Sequence, residues 1–227
     1  MKHHLPHIQL DIQPQDLPNI QQIVQQINQH HINTITTPPH IYHHILPIIK
    51  LNNPHINTII TIDYPKGTTY GFQKLLSNLP PTNQTQPNGY EIHLTPDTND
   101  IEAHNELKQI TEFIKTKLNP TATITITLGT HTHTYQQIQN PLKHLTKHPI
   151  NLIRTDPHNN HLNATPEKHQ EDIRWIQAIT TTPIKISANI TPQIIQTHKN
   201  NQHIKYALNT TQLQTLINHL NKEIIRK

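Results

Sequence analysis

The sequence predicts an α/β protein, a single (β/α)8 TIM barrel spanning residues 1–227. Three observations lead there. Short β-branched runs alternate with longer polar segments of helical spacing. The alternation is strict and repeats eight times. The length of 227 residues suits eight such units in one domain. Strict alternation implies a parallel sheet, because each parallel crossover needs a helix. A doubly wound open sheet obeys the same alternation and is the competing arrangement.

The units follow in order. Strand His7–Asp11 leads to helix Leu17–Asn28, where Ile20, Ile23, Val24 and Ile27 form one apolar stripe. Strand Ile32–Thr36 leads to helix Ile41–Leu51, and strand Ile56–Ile62 to helix Tyr70–Leu76. The polar loop Pro80–Asn88 belongs to that third unit. Strand Tyr90–Leu94 precedes helix Ile101–Leu118, with Ala103, Leu107, Ile110, Ile114 and Leu118 on one face and Phe113 at its edge. Strand Ala122–Leu128 and helix Tyr135–Leu145 make the fifth unit, and Ile150–Thr155 and Pro166–Ile179 the sixth. There Thr165 reads as an N-cap with Pro166 at N1, and Trp175 reads as packing beside Ala178 and Ile179. Thr191-Pro192 repeats the cap signal before helix Pro192–His198, which follows strand Ile184–Ser187. Strand Ile204–Leu208 and helix Thr211–Ile224 complete the set, with no linker or second domain in view.

Composition narrows the function classes. The chain has no Cys, which excludes a disulfide framework, a thiolate nucleophile and a Cys-bound metal. No apolar run nears the roughly 18 residues of a membrane span. No signal peptide is expected, so a soluble cytoplasmic protein is the default reading. The chain holds only 4 Gly, against about 16 for an average chain of this length. It has one Val, few Ala and 14 Asp+Glu, against 21 His and 19 Pro. Gly, Val, Ala, Asp and Glu share codons beginning with G, so the gene reads as depleted in G on its coding strand. Many His and Thr then reflect codon drift. The pI of 9.2 arises the same way, by loss of acids. The 18 Lys+Arg are scattered without interleaved aromatics, so neither nucleic acid nor membrane is an expected partner.

Four ordered segments resemble the deoxyribose-phosphate aldolase family. Ile62-Asp63-Tyr64-Pro65-Lys66-Gly67 is similar to the family's apolar-Gly-Phe-Pro-x-Gly loop after strand three. Glu91-Ile92-His93 stands for Glu-Ile-Asp on strand four, and Ile153-Arg154-Thr155 for apolar-Lys-Thr on strand six. Ile184-Lys185-Ile186-Ser187-Ala188-Asn189-Ile190 resembles Val-Lys-Ala-Ser-Gly-Gly-Ile on strand seven. The resemblance spans nearly the whole chain. It implies a Schiff-base aldolase that cleaves 2-deoxyribose 5-phosphate, a small phosphorylated sugar, without a cofactor. In such an enzyme a strand-six lysine attacks the carbonyl and a strand-seven lysine lowers its pKa. A strand-four aspartate moves protons, and Gly-rich turns bind phosphate.

Carried over by position, Lys185 fits the second lysine and His93 replaces the aspartate. Arg154 replaces the nucleophile, and a guanidinium does not form a productive imine. Ser187, Ala188 and Asn189, with Asn209 and Thr210 after strand eight, stand at the phosphate positions, where glycines are lost. Ile8-Gln9 replaces an Asp-His pair on strand one.

Several readings stay open. His93, Arg154 and Lys185 should converge at the C-terminal mouth. Arg154 is either a structural cation paired with Glu91 or Asp97, or an anion clamp acting with Lys185 and Lys66. Lys185 could itself take over as nucleophile, with Arg154 beside it. An inactive homologue that binds anions or partners is the alternative to an enzyme, and a homodimer is left open. His131 and His133, with His93 and His158, raise a third reading, a metal-dependent barrel. No metal is assigned, because a His-rich composition places several near any site. His3-His4, His30-His31 and His43-His44 are expected to face solvent. Cleavage of 2-deoxyribose 5-phosphate is not expected, while weak phosphate binding is.

Overall fold

A computed structural model of the protein describes residues 8–63, 86–94, 101–128, 143, 151–155, 174, 176–178, 180–186, 191–198 and 204–225. Its strands are β1 Ile8–Asp11, β2 Thr34–Thr37, β3 Asn57–Asp63, β4 Gly89–Leu94, β5 Thr123–Leu128, β6 Leu152–Thr155, β7 Ile184–Ile186 and β8 Ile204–Asn209. All neighbours pair in parallel, and β8 pairs with β1, so the sheet is a closed barrel. The helices are α1 Ile20–Gln29, α2 Pro39–Asn52, α3 Ile101–Phe113, α4 Pro192–His198 and α5 Thr210–Ile225. Lys143, Arg174 and Ile176–Ala178 are helical as well, within the expected fifth and sixth helices. The expected helix Tyr70–Leu76, and Trp175, lie outside the described residues. The architecture is a TIM-like α/β barrel.

The strands alternate rather than running continuously apolar. In β5, Ile124 and Ile126 share one face, and Thr123, Thr125 and Thr127 the other. Register carries this phase around the sheet: Glu91 pairs with Thr125, Gln9 with Thr34 and Ala207, and Lys185 with Lys205. The apolar phase faces the helices. Ile8, Leu10, Ile35, Ile184, Ile204, Tyr206 and Leu208 join Ile23, Val24, Ile27, Ile45, Ile49, Leu213 and Leu216 in one buried cluster. The polar phase faces the lumen, where branched aliphatic side chains usually pack.

Local chemistry explains the departures from sequence expectation. The first helix begins as a 3-10 turn over Pro14–Asn19, because Pro18 has no N–H to give an α-helical bond. It ends in a Schellman arrangement, in which the Ile32 N–H reaches Ile27 O at 3.0 Å across His31 at φ 55°. Glycine favours that conformation, and this G-poor chain supplies histidine. His30, expected in solvent, is buried beneath the same turn, while His31, His43 and His44 are exposed. Residues Ile114–Leu118 wind as a π-turn rather than α-helix, with Asn119 N–H bonded to Ile114 O at 2.8 Å. Thr191 caps α4 through a 3.3 Å bond from Ile194 N–H, as the Thr-Pro signal predicts.

The floor at the strand N-termini is pinned by repeated clamps. Lys50 Nζ donates to Pro54 O and Ile56 O, at 3.3 and 2.7 Å. Lys115 Nζ donates to Pro120 O and Ala122 O, at 3.4 and 2.6 Å. Asn88 Oδ1 accepts from Thr58 N–H, and Asn151 Oδ1 from Ile124 N–H, each at 2.9 Å. These side chains satisfy strand-end groups the ladder leaves over. Gly89 is required there, since a Cβ would stand 2.6 Å from Thr123 O.

Candidate active site

The lumen brings Gln9 and Asp11 of β1, Glu91 and His93 of β4, Thr127 of β5 and Lys185 of β7 into one network. Lys185 is the centre. It is 0% exposed, and its Nζ donates to Glu91 Oε2 at 2.7 Å and to Gln9 Oε1 at 2.5 Å. Glu91, equally buried, continues the chain. Its Oε1 lies 3.2 Å from His93 Nε2 and accepts from Thr127 Oγ1 at 3.3 Å. The Gln9 amide donates to Glu91 Oε2 at 3.2 Å and to Asp11 Oδ1 at 3.1 Å. His93 is 35% exposed and links this network to solvent.

A lysine and a carboxylate can be buried this deeply because each satisfies the other. The carboxylate stabilises the ammonium over the free amine. The pairing also links a buried amine, through one carboxylate, to an imidazole that reaches water. Such a chain can carry a proton between the lumen and the mouth.

The expected convergence is met in part. Lys185 and His93 join through Glu91. Arg154 stands in β6 in register with Thr127 on one side and Lys185 on the other, and its side chain lies outside the described residues. Glu91, one of the two partners considered for Arg154, pairs with Lys185. The positive charge expected from Lys185 at an anion site is therefore already met by a carboxylate.

Two phosphate candidates are described, and both are engaged. Asn209 and Gln212 form reciprocal cap bonds at the start of α5, 2.8 Å from Gln212 N–H and 2.9 Å from Asn209 N–H. The Thr210 hydroxyl, expected to serve an anion, donates instead to Asp16 Oδ1 at 2.7 Å. A carboxylate therefore sits at this helix N-terminus. Ser187, Ala188, Asn189, Lys66, Asp97, His131, His133 and His158 lie outside the described residues. Among the described residues, no group of three His, Asp or Glu is arranged to hold a metal, and no helix is long and apolar enough to cross a membrane.

Sequence reasoning missed the role of Gln9, which it took only as a replaced position. The signal was available. Gln9 and Asp11 occupy the polar phase of β1, as Glu91 and His93 do in β4.

No family model and no curated protein matches the chain. Solved structures share its fold. An aldolase designated QR15 is 11% identical with a TM-score of 0.65, covering 97% of each chain. A tetrameric deoxyribose phosphate aldolase from Aeropyrum pernix is 10% identical with a TM-score of 0.66, covering 95% of this chain and 89% of that one. A 2,3-dimethylmalate lyase of the PEP mutase/isocitrate lyase superfamily is 8% identical with a TM-score of 0.57, covering 99% of this chain and 82% of that one. The resemblance to aldolases thus holds at the level of the barrel. The third protein carries the same fold under a different superfamily name, so function must be argued from the site.

Proposed function

We propose that the protein is a divergent deoxyribose-phosphate aldolase-like barrel. Its chemistry, aldol cleavage or condensation of a small aldehyde or sugar phosphate, centres on Lys185. One observation carries this reading: a fully buried lysine joined through Glu91 to a half-buried histidine. In the proposed reaction the ammonium passes a proton to Glu91 Oε2. The amine then adds to the substrate carbonyl, and the carbinolamine so formed takes the proton back from Glu91 and loses water to give an iminium. His93, beside Glu91 Oε1, exchanges the proton with solvent.

Arg154 has the place of the family's nucleophile but keeps only an electrostatic role. Phosphate recognition falls to Arg154 and to Ser187, Ala188 and Asn189, since Asp16 beside Thr210 opposes a second anion there. The complete eightfold (β/α)8 repeat over residues 1–227, a cytoplasmic location and self-association as a homodimer belong to the same proposal. The tetrameric A. pernix aldolase supports the last of these.

The test is borohydride reduction with acetaldehyde, followed by mass mapping of modified peptides. Reduced adduct on Lys185 is the expected result, with no turnover of 2-deoxyribose 5-phosphate. Full burial of Lys185 favours a second reading, an inactive homologue in which the ion pair holds the lumen together. Absence of any Lys185 adduct selects that reading.

A further inference from the structure

We infer that Gln9 is a positioning residue for Lys185, a latch that holds its amine in the charged, engaged form. The inference rests on reading Lys185 as the imine-forming group. A glutamine amide offers one acceptor and one two-proton donor. Here the acceptor faces the Lys185 ammonium, and the donor reaches two carboxylates, Glu91 and Asp11. The reverse orientation would set an NH2 against an ammonium and an oxygen against two anions. The charges therefore fix the amide, and the amide in turn favours those charges.

Imine formation needs the opposite state, a neutral amine freed from its acceptors. Glu91 and Gln9 both oppose it, and they differ in kind. Glu91 is a proton acceptor that lets the amine be discharged. Gln9 accepts a hydrogen bond but takes no proton near neutral pH, so its contact only holds the ammonium in place. Among the described residues, the other ionisable groups near Lys185 include Asp11 on its own network, His93 behind Glu91, Lys205 in register on β8, and Arg154 in register on β6. Substitution at position 9 leaves these residues in place, while Asp11 and Glu91 lose the amide donor in the apolar variants.

The experiment compares the full chain with Gln9→Leu and Gln9→Glu, with Gln9→Met as a second apolar variant should Leu fail to fold. One readout is an NMR titration of the Lys185 side-chain amine. The apolar variant should lower its midpoint by about one unit, and the carboxylate should raise it. The other readout is the rate of borohydride trapping with acetaldehyde at a pH below the wild-type midpoint. There the apolar variant should react about tenfold faster, and Gln9→Glu more slowly than wild type. Opposite signs from the two substitutions are the signature, because a merely structural role would move both variants the same way. Midpoints that stay put, or move together, overturn the latch. If midpoints diverge but no variant forms an adduct, the latch stands and the imine reading falls.

Discussion

On the helix side of the barrel sheet, Ile35, Ile60, Ile92, Ile124 and Ile126 are fully covered and apolar. On the lumen side, the same sheet carries Gln9, Thr36, Glu91, Thr125 and Lys185, also buried but polar. The outer face is held by removal of apolar surface from water, which is non-directional and tolerates reshaping. The lumen is held by pairing, in which each group is tolerable only while its partner remains. Burial alone therefore does not measure how a position responds to change, because the chemistry of its neighbours decides it.

The largest effect should come from removing one member of a buried pair. Glu91→Ala leaves the Lys185 ammonium without its carboxylate and should cost about 3–5 kcal/mol in urea unfolding. Replacing both residues, Glu91→Leu with Lys185→Met, should cost far less or even stabilise the fold. If the double variant is as damaged as the single, the lumen is not governed by pairing. On the outer face, Ile35→Ala should cost about 2–4 kcal/mol through lost burial and a residual cavity. Ile35→Leu should cost under about 1.5 kcal/mol by the same measurement.

Next in size is a response to alkali. Burial, with Tyr42 nearby adding to it, pushes the outer-face Tyr90 phenol up to about 12. Burial also raises Tyr42, partly offset by its Thr58 hydrogen bond, and raises Tyr206. The unfolded chain then loses these protons before the folded one does. Stability should be intact below pH 10 and fall between pH 10 and 12, by roughly 2–3 kcal/mol for Tyr90. Denaturant midpoints across that range check this, and Tyr90→Phe should flatten the fall. The smallest change is a gain. Thr125 Oγ1 is buried without a hydrogen-bond partner among the described residues, so Thr125→Val should raise stability by up to about 1 kcal/mol in thermal unfolding. A loss of that size would mean the hydroxyl is satisfied after all.

Much of the fold was legible because the apolar phase of each strand survives the odd composition. Ile can replace Val on a pleated surface, so Ile124 and Ile126 still mark β5. The stripes Ile20, Ile23, Val24, Ile27 and Leu107, Ile110, Ile114, Leu118 are buried as their spacing requires. Helix ends were harder to read. The π-turn at Ile114–Leu118 closes on the Asn119 N–H, and the apolar spacing of Ile110, Ile114 and Leu118 does not distinguish it from an α-helix. His30 was misread because its burial depends on the turn over His31. In the site, Lys185 and His93 were found by position. Their common partner Glu91 and the amide of Gln9 emerge only once β1, β4 and β7 face one lumen. Charge pairing across a barrel joins residues far apart in sequence and leaves no periodic trace.

The two floor clamps hold one further consequence, concerning insertions and deletions. Lys50 reaches the carbonyls of Pro54 and Ile56, while Lys115 reaches those of Pro120 and Ala122, each one residue further along the chain. The second segment thus carries an extra residue between the same two anchors, and the π-turn is where the backbone stores it. Deleting Thr116 should convert that turn to ordinary α-helix and leave the Lys115 contacts in place. The same deletion made at Leu51, where no slack exists, should pull Lys50 off its carbonyls. The wider turn is a length buffer, which lets this part of the barrel gain or lose a residue without shifting the strand that follows.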